Sequence, residues 1–136
     1  MDLAEARAFI EDHPRAVLHT YRQDGSPQLS PVIVAVDDDG RVLVSTRETS
    51  VKFANLARDP RASLCVFTDG FFGPWVRVDG IAEIVRLPDA LEPLVDYYRR
   101  VAGEHEDWDA YRRAMQDERR VLLRIDLTDA GPDTSG

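Results

Sequence analysis

Lysine is almost absent from this chain. Of 17 basic residues, 16 are arginine, and the single lysine is Lys52. Cysteine is as sparse: one thiol, Cys65, excludes an internal disulfide and makes a reducing, cytoplasmic setting the default. The longest apolar run, Val32-Ile33-Val34-Ala35-Val36, falls far short of the roughly 20 residues a spanning helix needs. The opening MDLAEARAFIEDHP starts acidic and has no continuous apolar core, so it does not read as a secretory signal. Positive charge is also in deficit. A net charge of -8 argues against a nucleic-acid or anionic-membrane surface, so an anionic ligand would need a local pocket. His13, His19 and His105 are widely spaced and lack companions at metal-ligand spacing, and no serine or cysteine triad is visible.

What is present suits a single folded domain. The chain has 136 residues, 43% hydrophobic and 31% charged, with neither repeat nor linker. Leu3, Ala6, Phe9 and Ile10 recur at helical spacing up to His13-Pro14. Strands are expected over 16–21, 28–36, 41–46, 62–67, 75–85 and 120–127, separated by short turns such as Asp37-Asp38-Asp39-Gly40. That turn reads as a hairpin and lacks the later carboxylate of a calcium loop. A short helix should cover 50–58, another should run from Pro88-Asp89 to Ala102 with Gly103 as its cap, and a third should cover 108–115. Gly80 marks a bulge or a close backbone approach, and Cys65, on a strand, reads as a small apolar packing residue. The expected architecture is mainly β: a six-stranded antiparallel barrel with peripheral helices over residues 1–130 and a flexible polar tail over 131–136. So small a barrel has little room inside, which puts a ligand site on its surface or at a subunit interface.

The segment 45–52, STRETSVK, carries the chemistry. Ser45, Thr46, Thr49 and Ser50 supply hydroxyls, and Thr49 or Ser50 can cap the helix that follows. A helix N-terminus offers free N–H groups to an anion. Lys52, in the first turn, gains nothing from the helix dipole, and with Arg47 it completes a possible phosphate cradle. The same residues also suit an ordinary capped turn whose cations pair with Glu48 or Asp59, and the pattern alone does not choose. Phe71, Phe72 and Trp75 form either packing or an aromatic wall over a ligand.

Four stretches resemble the pyridoxamine 5'-phosphate oxidase-like split β-barrel proteins: DGSPQLSPV (24–32), STRETSVKFANLARDPRASL (45–64), VRVDGIAEI (76–84) and YYRRVAGEHEDWDAYRRAMQDERRVLLRI (97–125). The last is the longest and most specific, and the likeness is closest to the branch that uses coenzyme F420, a deazaflavin. The resemblance implies a homodimer with flavin or deazaflavin in grooves between subunits, acting as an oxidoreductase on a small unsaturated organic molecule. It implies that Lys52 binds the phosphate, with Ser50, Ser45, Thr46 and Arg47 around it. Asn55 falls in the family's Asn-Leu signature, and Gln28, Ser30 and Val32 fall on the strand beside the ring's polar edge.

Two departures qualify it. Trp75 stands where flavin-using relatives often carry a ring-contacting glutamine from the partner chain, which favours F420 over FMN. The chain also ends Arg124-Ile125-Asp126-Leu127-Thr128 and lacks the Arg-Leu-x-Pro segment that holds pyridoxamine phosphate, so that substrate is not expected. An FMN oxidoreductase and a deazaflavin carrier without catalysis are the alternatives. Arg58 and Arg61 are candidates for an anionic tail, and His19, Tyr21 or solvent for a proton.

Overall fold

In the computed structural model, which describes residues 1–132, local chemistry sets each boundary. Helix α1 (Leu3–Asp12) is capped by Asp2, whose carboxylate accepts from the Glu5 N–H. Strand β1 (Arg15–Tyr21) turns into β2 (Pro27–Ile33) where Asp24 accepts from the Ser26 N–H and hydroxyl and Gly25 takes φ +86°. Strands β3 (Ala35–Val36) and β4 (Val42–Arg47) flank the acidic turn, where Asp37 accepts from the Asp39 and Arg41 N–H groups and pairs with the Arg41 side chain. Helix α2 (Val51–Arg58) leads into β5 (Arg61–Phe67) and β6 (Trp75–Val85). Helices α3 (Leu91–Ala102) and α4 (Trp108–Asp117) precede β7 (Arg120–Gly131).

Seven strands form one antiparallel sheet in the order β2-β1-β5-β6-β7-β4-β3. The two ends of that order are neighbours in sequence, and the sheet curls so that β2 approaches β4. The expected strand over 28–36 is therefore two strands. β2 pairs with β1 and β3 pairs with β4, and the chain changes partners at Val34, whose N–H donates to the Pro14 carbonyl at 2.8 Å. A continuous apolar run reads as one strand because periodicity does not register a change of pairing partner. This adds the seventh strand to the six expected.

The inner face is filled by Leu18, Val44, Leu64, Val78, Leu123 and Ile125, none more than 1% exposed. Burying each such side chain contributes about 1.5–3 kcal/mol. A second cluster lies outside the curl, where α3 and α4 set Leu94, Val95, Tyr111 and Met115 over Leu43 and Leu122. The outer faces of β2, β1, β5 and β6 carry the half-exposed Leu29, Ile33, Trp75 and Ile81. Cys65 belongs to this outer face. Its register partners are Val17 and Arg77, and its thiol is exposed rather than packed as expected.

Gly80 sits at a register shift between β6 and β7, and a methyl there would strike the Asp126 carbonyl and the Ile125 side chain. Gly103 ends α3 at φ +80°. Helix α3 begins at Leu91, three residues after the expected start, because Pro88 and Asp89 form a turn. The last strand runs four residues beyond Leu127, with Gly131 opposite Arg77. Residues 133–136 of the expected tail lie outside the described residues.

Candidate functional site

The turn from β4 into α2 is built around Ser50. Its hydroxyl oxygen caps the helix by accepting from the Phe53 N–H at 3.1 Å and also accepts from the Thr46 hydroxyl at 3.0 Å. With both acceptor positions used, the Ser50 proton is left to donate outward. The N–H groups of Val51 and Lys52, in the first helical turn, have no intrahelical partner. Thr46 is buried, so its bond to Ser50 fixes the capping rotamer from inside.

Lys52 opens onto this turn without a carboxylate in ion-pairing range among the described residues. Its pKa is lowered, first by partial burial and second by the positive charge of Arg120. A half-buried ammonium next to another cation is unfavourable in the free protein, and an anion would relieve it. Arg47 and Arg120 face each other across the β4–β7 ladder. Both bond one carboxylate oxygen, Oε1 of Glu118, with shortest contacts of 2.9 Å from Arg47 and 3.0 Å from Arg120. These two charge-assisted contacts hold the Glu118 carboxyl below its usual pKa. Thr46, Arg47, Thr49, Ser50, Lys52 and Arg120 line one open cleft.

That cleft continues into a groove of about 760 Å³ along the seam where β2 approaches β4. Its walls are Val32 and Ile33 of β2, Ser45 and Thr46 of β4, and Tyr97, Tyr111 and Met115 of α3 and α4. The Tyr97 and Tyr111 hydroxyls are committed. Tyr97 donates to the Ile33 carbonyl at 2.8 Å, tying α3 to the edge strand, and Tyr111 donates to the Leu94 carbonyl at 2.9 Å. Burial raises the pKa of Tyr97 and pushes Tyr111 up to about 12. The groove is therefore lined mainly by apolar side chains, with Lys52 and Arg120 where it meets the cleft and Arg15, paired with Asp69, also on its wall, a shape for a flat ring carrying an anionic tail.

The structure gathers Lys52, Ser50, Ser45, Thr46, Arg47 and Val32 at this site. It does not bring Asn55, Gln28 or Ser30 there. Asn55 is 4% exposed and donates to the Thr20 hydroxyl at 3.0 Å, which in turn donates to Gln28 at 3.2 Å. Asn55 thus anchors α2 to the barrel wall. Ser30 is paired in register with the buried Leu18, and its hydroxyl is buried without a partner. Trp75 lies on the outer face with His19 and Cys65, away from Lys52 within this chain.

Arg58 and Arg61 are engaged elsewhere. Arg58 bonds the Tyr21 carbonyl and Asn55, while Arg61 forms a forked pair with Asp59 and stacks on the Tyr21 ring. Neither His19 nor Tyr21 lines the groove, so neither is placed to deliver a proton within this chain. Phe71 and Phe72 are almost wholly exposed at a loop tip, which excludes them from the core. Arg120 and Glu118 join the site without being marked by any motif. Their only sequence signal is the charged run Asp117-Glu118-Arg119-Arg120, whose meaning depends on β7 pairing with β4.

The sequence profile of the pyridoxamine 5'-phosphate oxidase family matches residues 3–131, and the chain belongs to that family. Among solved structures, it is similar to a conserved hypothetical protein from Mycobacterium tuberculosis, with 30% identity and a TM-score of 0.77 over 100% of this chain and 92% of that one. It is also similar to an F420 reductase, with 21% identity and a TM-score of 0.72 over 92% of this chain and 94% of that one. A heme storage protein from Vibrio cholerae shares 18% identity with a TM-score of 0.71, over 96% of this chain and 94% of that one. The last two likenesses show the fold alone.

Proposed function

We propose that the protein is a homodimeric, coenzyme F420-dependent oxidoreductase that moves hydride between the deazaflavin and a small unsaturated organic molecule. The observation that carries this reading is Lys52, a half-buried ammonium with no carboxylate partner among the described residues, set beside the Ser50-capped helix where a cationic cleft meets a mainly apolar groove. The residues present fit a phosphorylated ring: Lys52, Arg47, Arg120 and the Ser50 proton at the anion, and Val32, Ile33, Tyr97 and Met115 along the ring. When bound, the deazaflavin supplies the hydride chemistry. The chain supplies grip, orientation and exclusion of water. The Tyr97 and Tyr111 hydroxyls are already given to main-chain carbonyls, so neither is free to supply the product's proton.

A second copy of the chain is the expected cover for the outer face bearing Leu29, Ile33, Trp75 and Ile81, and would carry Trp75 toward the partner's groove. Light scattering at the mass of two chains tests that part. Lys52→Ala tests the anchor. Losing one charge-assisted phosphate contact should weaken F420 binding roughly ten- to a hundredfold, and an unchanged affinity refutes the assignment. FMN in the same groove is the second reading, favoured by the family to which the chain belongs. Protein that purifies yellow with a flavin spectrum supports FMN, and colourless protein that quenches added F420 fluorescence supports the deazaflavin. Oxidation of reduced F420 by a panel of acceptors separates an enzyme from a carrier.

A further inference from the structure

Glu118 is an odd neighbour for an anion site. It follows α4 directly and is joined to β7 through Arg119, a non-glycine residue at φ +51° whose carbonyl accepts from the Glu48 N–H at 2.9 Å. That left-handed turn sets Glu118 and Arg120 side by side against Arg47, the register partner of Arg120. The carboxylate does not line the cleft. It backs the two arginines, taking the Nε and Nη2 groups of both through the single oxygen Oε1. The Nη1 groups of Arg47 and Arg120 make no bond among the described residues, and both arginines line the cleft with Lys52. The site thus holds three cations and one carboxylate whose pKa the two arginines lower, where three cations alone would have formed a stronger and less selective anion trap.

A fixed negative charge behind the cleft acts unequally on different phosphates. A phosphomonoester carries about two negative charges at neutral pH, whereas a phosphodiester linking the ring to a longer tail carries one. Repulsion from Glu118 scales with that charge, so it penalises the monoester about twice as much. We infer that Glu118 is a specificity-determining residue, which holds Arg47 and Arg120 toward the cleft while reducing the advantage that the three cations give a doubly charged terminal phosphate over a singly charged phosphodiester. This rests on the reading of the cleft as a cofactor phosphate site. The effect of Glu118 is to let a ligand whose chain continues past the phosphorus, as in the deazaflavin cofactor, compete on closer terms with one that ends there, as in FMN.

The test compares F420 and FMN binding to the intact protein, by fluorescence titration at fixed pH and ionic strength, for the wild type, Glu118→Gln and Glu118→Asp. Glutamine keeps the shape and an acceptor oxygen while losing the charge, and aspartate keeps the charge. Glu118→Gln should tighten FMN more than F420, shifting the ratio of the two affinities toward FMN by roughly three- to tenfold, whereas Glu118→Asp should hold the wild-type ratio. Melting temperatures within about 2 °C of wild type would show that both variants fold. Equal changes for the two ligands, or a larger gain for F420, overturn the inference and leave the cofactor reading standing. Wild-type protein that binds neither ligand overturns both, and the wild-type titration tells the two failures apart.

Discussion

The two ends of helix α2 carry the same kind of charge and put it to opposite use. At the C-terminal end, Arg58 is bound to the Tyr21 carbonyl and to Asn55, and Arg61 is locked to Asp59 and stacked on Tyr21. Every positive group there has a partner within the protein. At the N-terminal end Lys52 has none among the described residues, and Arg47 and Arg120 share a single carboxylate oxygen. A count of arginines would rate the two ends equal. The difference lies in which charges the fold leaves unneutralised, and a ligand anion can gain only from those.

The sharpest way to break the comparison is to delete one cation from each end. Lys52→Ala should cost the tenfold or more in F420 affinity given above. Arg61→Ala should leave affinity within about twofold, because its guanidinium is already engaged. Stability should move the other way. The Lys52 pKa is depressed, so its charged form is disfavoured in the folded protein below that pKa and the penalty disappears at pH above the ordinary lysine value of 10.5. Near neutral pH Lys52→Ala should therefore melt no lower than wild type, by calorimetry without ligand. A marked drop would mean that Lys52 holds the fold together and is no ligand residue.

Asn55, midway along the same helix, should show the converse. Its amide donates to the buried Thr20 hydroxyl at 3.0 Å, and Asn55→Ala leaves that hydroxyl network one donor short. The expected loss is about 1–3 kcal/mol, a fall in melting temperature of roughly 3–9 °C, with F420 affinity changed less than by Lys52→Ala. Affinity falling as far as for Lys52→Ala, with the melting point unchanged, would return Asn55 to the site.

Ser50 sits between these extremes because it serves both purposes. Its oxygen caps α2 and accepts from Thr46, which leaves its proton free for a ligand in the cleft that Ser50 lines. Ser50→Ala should lower the melting temperature by about 3 °C, for a cap worth about 1 kcal/mol, and weaken F420 binding severalfold. Loss of stability alone would make it a cap and nothing more.

These contrasts mark what was legible in the sequence. The segment 45–52 announced its strand, its cap and its isolated lysine, because those signals are local: hydroxyls before an apolar-periodic run, and a cation where the dipole gives no reason for one. Gly80 was legible for the same reason, since a glycine inside a strand needs a nearby cause. The division of 28–36 at Val34 was not, because that run is apolar on both sides of the break and only the pairing partner changes. Nor was the Arg47–Glu118–Arg120 cluster, whose members are brought together by the β4–β7 register across 71 residues of chain. Asn55 shows the limit of motif transfer. The family signature located a residue that matters, and the structure assigns it to the wall of the barrel.

The smallest expected effect probes the neutralised end of α2 directly. Asp59 accepts a forked pair from Arg61 and the Arg61 N–H, and these bonds hold its pKa at about 2, against an ordinary 3.8. A depressed carboxyl contributes stability that is fully present above the ordinary value and is lost as pH falls through the folded one. Asp59→Asn should therefore melt slightly below wild type from neutral pH down to about 4. The gap should close between pH 3.8 and 2, as the wild-type carboxylate takes up its proton. Because the pair lies at the surface, the gap should also shrink with added salt at neutral pH. F420 affinity at pH 7 should be unchanged in Asp59→Asn, whose freed Arg61 stays at the far end of the helix from Lys52. If freeing Arg61 tightened F420 binding, the C-terminal end of α2 would belong to the ligand site, and the contrast between the two ends would fail.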